Sequence, residues 1–151
     1  MEFRRRTIND YKAMIKLWSR AGLSFKPKGR DSEGSIARQM QANPEFFLGA
    51  SEDNRLVGTV IVSCDMRRGW INRLAVDPDC RHKGIAKALI AESEKILRRH
   101  GARIFCAPID DFHEEMSKKR FRECGYVEHR GIIYFSKRDS DEGLALLSAY
   151  N

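Results

Sequence analysis

Residues Trp70 to Ala91 read WINRLAVDPDCRHKGIAKALIA: an apolar strand, a short polar turn and the opening of an amphipathic helix, with Gly84 at the junction. The first backbone amides of a helix have no partner inside it, and the aligned peptide dipoles place positive potential there. Such a terminus attracts anions. Here the run Arg81-His82-Lys83-Gly84-Ile85-Ala86 adds two cationic side chains, and it puts Gly and Ala where a larger residue would hold a ligand away from the backbone. The stretch predicts a phosphate or pyrophosphate site.

Working outward, the helix that opens at Gly84 continues its apolar spacing through Ile85/Ala86, Leu89/Ile90, Ser93 and Ile96/Leu97 to about His100, where Gly101 caps it. Upstream, Phe46 to Ala50 and Leu56 to Val62 are β-branched or aromatic runs separated by Asp53-Asn54, which predicts an antiparallel hairpin, and Arg67-Arg68-Gly69 makes the next turn. Glu2 to Thr7 predicts a first strand. A helix follows from near Tyr11, capped by the Asn9 or Asp10 side chain, buried along Tyr11, Met14, Ile15 and Trp18 and stopped at Gly22. Leu23 to Gly34 is a loop, and Ser35 to Ala42 a second short helix ended by Asn43-Pro44. Trp18 and Trp70 both lie in apolar periodic segments, which predicts packing in the core.

Downstream, Arg103 to Cys106 predicts a short strand, Phe112 to Glu123 a helix closed by Gly125, and Tyr126–Glu128 and Ile132–Ser136 two last strands turned at Arg130-Gly131. The fold class is α/β (α+β): one domain over 1–138 with a mixed, mostly antiparallel sheet of about six to seven strands flanked by about four helices, and a C-terminal tail over 139–151.

A chain of 151 residues with 42% hydrophobic and 32% charged residues has ordinary proportions for a single folded domain. No apolar run is long enough to cross a bilayer, which predicts a cytoplasmic protein without a membrane partner. Cys64, Cys80, Cys106 and Cys124 are widely spaced, form no C-x-x-C pair and have no histidine at zinc spacing; they read as reduced thiols, with no metal site. A net charge of +7 favours anionic partners. The basic residues come in short clusters broken by acidic or apolar residues, which reads as solvated faces and weighs against nucleic acid. Walker, dinucleotide-binding, nucleophile-elbow and H-E-x-x-H patterns are absent from the sequence.

The pattern Arg-x-x-Gly-x-Ala over Arg81 to Ala86, behind a strand ending Leu74-Ala75-Val76-Asp77-Pro78, resembles the acetyl-coenzyme A signature of the GNAT superfamily of N-acetyltransferases. Arg120-Phe121-Arg122-Glu123-Cys124-Gly125-Tyr126 resembles the second GNAT segment. The resemblance implies a GNAT-like domain in which the strand through Leu74, Ala75 and Val76 carries a bulge and the amides of Leu74 and Val76 pair with the pantetheine arm. It implies that Arg81 and the amides of His82, Lys83, Gly84, Ile85, Ala86 and Lys87 hold the pyrophosphate, with Phe121 against the cofactor, and that Phe25 to Asp31 face the acceptor. The implied activity transfers acetyl from acetyl-CoA to a primary amine of a small molecule or peptide by direct attack in a ternary complex. A homodimer is compatible with it.

The position often filled in the family by a tyrosine, which protonates the departing thiolate, is here Phe121, which has no proton to give. Asn72 and Arg73 stand where many relatives carry a carboxylate. The catalytic residues therefore stay unassigned: Asp65, His113, Glu114 and Glu115 are unranked alternatives for the base, and Cys124 and Tyr126 for the acid. The rival reading is a catalytically weak acetyl-CoA-binding regulatory module.

Overall fold

A computed structural model of the protein describes residues 1–109 and 114–137. Strands β1 (Glu2–Arg5), β2 (Phe47–Glu52), β3 (Arg55–Cys64), β4 (Arg68–Val76) and β5 (Ile104–Cys106) form one sheet in sequence order, antiparallel except for the parallel β4–β5 pair. Helices α1 (Tyr11–Ala21), α2 (Glu33–Ala42), α3 (Ile85–Arg99) and α4 (Glu114–Glu123) accompany it.

The hairpin between β2 and β3 follows from local chemistry, since Asp53 and Asn54 both adopt positive φ, 49° and 61°, as a two-residue turn matched to strand twist demands. Helix α1 ends at Gly22, which takes the left-handed conformation at φ 75°. Its start departs from expectation: Asp10 sits at the cap position without bonding the helix, because its carboxylate accepts from the Thr7 amide at 2.9 Å and from the Arg4 guanidinium at 3.1 Å.

The two long helices take opposite faces of the sheet. Trp18 on α1 is fully buried and donates its indole N–H to the Thr59 hydroxyl at 2.9 Å. The preceding residue, Gly58, turns to the other face, where a Cβ would lie 2.9 Å from both Ile85 Cγ2 and Leu89 Cδ1. Helix α3 thus rests directly on the backbone of β3 and, where a Cβ on Gly69 would meet Leu97 within 2.6 Å, on that of β4, with Leu89, Ile90 and Leu97 part of the buried core. Trp70 departs from expectation: strand alternation buries Gly69 and Ile71 and sends Trp70 to the face opposite α3, 38% exposed.

Between the pairs Ile61–Asn72 and Thr59–Ala75, two residues of β4, Arg73 and Leu74, stand against one of β3, Val60, and Arg73 adopts φ 53°. This is the bulge the resemblance implied. On its other side β4 pairs with β5 only from Arg68 to Trp70, so from Ile71 to Val76 that edge has no partner strand among the described residues.

The sheet has five strands among the described residues, not six to seven. Tyr126–Glu128 and Ile132–Ser136 form no strand; past Gly125, at φ 88°, the chain leaves α4 without pairing to β5, whose edge offers only three residues. Strand propensity needs a hydrogen-bonding neighbour to become a strand. The expected tail at 139–151 and the expected first residues of the last helix, including His113, lie outside the described residues. All four cysteines are free thiols.

The close approach at Gly58 predicts that Gly58→Val, which must push Ile85 and Leu89 aside, costs about 1–3 kcal/mol of stability, read as a lowered urea midpoint. An unchanged midpoint would contradict the direct seating of α3 on β3.

Candidate active site

The site lies where β4 ends. Beyond Val76, Asp77 turns the chain, its amide bonded to the Val57 carbonyl at 2.9 Å and its carboxylate capping the short 3-10 turn Pro78–Cys80 through the Asp79 amide at 3.0 Å. The same buried carboxylate takes a two-pronged bond from Arg20 on α1, at 3.1 and 3.0 Å. Arg55 adds an ion pair at 3.7 Å. Led by the Arg20 hydrogen bond, these contacts hold the Asp77 carboxyl below its ordinary range despite burial. The junction is therefore fixed to both α1 and β3.

From there the backbone is shaped by two left-handed residues, His82 at φ 64° and Gly84 at φ 78°, and α3 opens with no side chain bonding its first amides. Among the described residues, the backbone amides from His82 to Lys87 have no hydrogen-bond acceptor. Beyond the Cβ position of Gly84 there is open space.

These amides border a pair of connected cavities. The first, about 150 Å³, runs along the unpaired edge of β4; Leu74, Ala75, Val76, Arg81, Ala86 and Phe121 line it. The second, about 540 Å³, lies over the α3 start, lined by Arg81, His82, Gly84, Ile85, Ala86 and Lys87. Val76, Arg81 and Ala86 border both, as do Met116 and Arg120 on α4. Neither Arg81 nor Arg120 forms an ion pair with a described residue, so the wall between the cavities presents two guanidinium groups. One expected member departs: the Lys83 ammonium turns to Glu52 at 2.9 Å, an ion pair that lowers the Glu52 pKa and raises its own, leaving only the backbone of Lys83 to serve the site.

The catalytic alternatives are thinned. The Asp65 carboxylate accepts the Arg67 and Arg68 amides at 2.8 and 2.6 Å in the turn that opens β4, at the far end of that strand from Val76, and is not a base for this site. Glu115 lines the second cavity, not the first. Tyr126 donates its hydroxyl to Glu94 on α3 at 3.1 Å, stacks edge-on against Phe121 and is pushed to a raised pKa by burial and by Glu94. Burial also raises the Cys124 thiol, and neither residue lines either cavity, because the chain turns away from α4 at Gly125.

Arg73, at the bulge, lines the first cavity and binds both Asp31 oxygens at 2.7 Å, bonds the Ser24 carbonyl and lies 5.2 Å over the Trp18 ring. Asp31 is buried and also accepts the Lys26 amide at 2.7 Å. The loop from Phe25 to Asp31 is thus tied down beside the cavity without lining it; Ala21 and Leu23 are what α1 and its loop contribute.

The sequence profile of the acetyltransferase (GNAT) family matches residues 11–126. The chain belongs to the GNAT family. An acetyltransferase of Photorhabdus laumondii is 35% identical over 142 residues, covering 91% of this chain and 95% of that protein. The GNAT fold is also shared with an aminoglycoside 6'-N-acetyltransferase of Acinetobacter haemolyticus, with a TM-score of 0.70 at 20% identity over 93% of this chain and all of that one. The PaiA N-acetyltransferase of Thermoplasma acidophilum, solved with coenzyme A, superposes with a TM-score of 0.64 at 23% identity, covering 81% of this chain and 87% of that one. No helix among the described residues of this GNAT chain is long and apolar enough to cross a membrane.

Sequence reading missed Arg120, Ser117 and the Asp31–Arg73 pair. The first two carried a signal: Ser117, Arg120 and Phe121 are spaced to share one face of α4. The pair spans 42 residues of sequence, and no local pattern announces it.

Because the Asp77 pKa is lowered on folding, its contribution to stability is fully present above the unfolded value near 3.8 and is lost as pH falls through the lower folded value. Asp77→Asn therefore destabilises the protein at neutral pH, and the gap closes below about pH 4, measured as unfolding free energy against pH. A gap that persists unchanged to lower pH would remove the ion pairs as its cause.

Proposed function

We propose that the protein is an N-acetyltransferase that uses acetyl-CoA and acetylates a primary amine of a small molecule or peptide. The observation that carries this reading is the row of amides from His82 to Lys87 without acceptors among the described residues, bordering a cavity lined by Arg81 and Arg120. An anion there gains donors, helix potential and guanidinium charge together. Family membership supports acetyl-CoA as that anion, and so does the coenzyme A complex of the Thermoplasma relative.

In this reading, Arg81 and the amides of His82, Lys83, Gly84, Ile85, Ala86 and Lys87 hold the pyrophosphate, while Arg120 faces it from α4. The pantetheine arm lies along the open edge of β4, its amide groups pairing with Leu74 and Val76 as a strand would, past Ala75 and against Phe121. The acetyl thioester then ends in the first cavity, near the bulge.

The protein's part in the chemistry is alignment and charge. A neutral amine reaching the thioester carbon within a closed ternary complex reacts without the entropic cost of meeting it in solution. A backbone N–H beside the bulge, where the thioester ends, is the donor for the oxygen that gains charge. The amine proton passes to water. The aminoglycoside 6'-N-acetyltransferase that shares the fold supports a small-molecule amine as the acceptor.

Gly84→Glu introduces bulk and negative charge at the α3 start and is expected to weaken acetyl-CoA binding at least tenfold by calorimetry. Gly84→Ala controls for the strain of a side chain at φ 78°. Equal affinity in the parent and the Glu variant would refute the phosphate assignment. Thiol release across an amine panel separates an enzyme from a binding module: tight binding without turnover on any amine would favour the latter.

A further inference from the structure

We propose that the Ser117 hydroxyl is the group that stabilises the departing thiolate. This rests on the acetyl-CoA reading of the site. Ser117 lies on α4 one turn before Phe121, and both line the first cavity. It is the only hydroxyl-bearing side chain lining that cavity among the described residues, and it has no hydrogen-bond partner there. On α3 the Ser93 hydroxyl is spent on the carbonyl four residues earlier, that of Leu89 at 2.7 Å; the Ser117 hydroxyl makes no hydrogen bond to a described residue.

The other polar side chains of the cavity have different work. Arg73 is engaged by Asp31, and Arg81 and Arg120 stand at the wall shared with the phosphate cavity. The pantetheine arm, lying along β4 from Arg81 toward the bulge, passes between that strand and the face of α4 carrying Ser117, Arg120 and Phe121. The position that often carries a phenol is the apolar Phe121, and the hydroxyl one turn away faces the same space.

In the step, the amine nitrogen bonds the thioester carbon, the C–S bond breaks, and its electron pair leaves on sulfur. Ser117 donates a hydrogen bond to that sulfur and keeps its proton; the proton shed by the amine goes to water and from water to the thiolate. A hydrogen bond to a charged acceptor is stronger than one to a neutral one, so it favours the state after bond breaking over the thioester before it.

The test is the ionisation of coenzyme A bound to the protein, followed by thiolate absorbance against pH, for the parent, Ser117→Ala and Ser117→Thr. The expected result is a bound thiol pKa about one pH unit higher in the Ala variant, with the Thr variant close to the parent and coenzyme A affinity at neutral pH within twofold in all three. With an amine that supports turnover, kcat falls about tenfold in the Ala variant while the KM for acetyl-CoA stays within twofold. An identical thiol pKa in the parent and the Ala variant, with binding intact, overturns the role of Ser117 alone. Absence of coenzyme A binding by the parent overturns the acetyl-CoA reading and this proposal with it.

Discussion

From His82 to Lys87 the chain places six backbone N–H donors in a row with no acceptor among the described residues, along a largely exposed turn and helix start. Everything around them keeps that arrangement from collapsing onto itself. Left-handed geometry at His82 and Gly84 aims the backbone outward, and no side chain at the cap position folds back to bond the first turn of α3. The donors are left for water or for a ligand rich in acceptors.

Holding them there requires a rigid foundation, and Asp77 supplies it. Its carboxylate is buried and charged, a state that is costly unless compensated. Compensation comes from Arg20 on α1, Arg55 on β3 and the Asp79 amide, so the turn is fastened to elements on both sides. The bulge at Arg73 complements this: it redirects β4 away from β5, opens an edge of backbone, and ties the loop after α1 to the sheet through Asp31. A row of amides without acceptors, an open strand edge and an adjoining small cavity are consequences of one junction.

Much of this was legible in the sequence because it is local. Asp53-Asn54 predicts a two-residue hairpin, Gly22 a helix stop, and the run around Gly84 a strand–turn–helix junction, and each is decided within a few residues of chain. What was not legible depends on distant neighbours. Lys83 reads as a site cation until Glu52, 31 residues earlier, claims it. Trp70 reads as core, yet alternation along β4 puts it opposite α3. Tyr126 to Ser136 reads as two strands, but propensity alone does not provide a partner edge. The base is the least legible part: the residues proposed for it sit in a distant turn, over the second cavity or in and beside a segment outside the described residues.

The most direct test of the central claim is an amide-resolved NMR titration of the protein with coenzyme A. Saturable shifts are expected for the amides from His82 to Lys87 together with those of Leu74 and Val76, all following one binding isotherm. Saturable binding that leaves those amides unmoved while shifting others would contradict it.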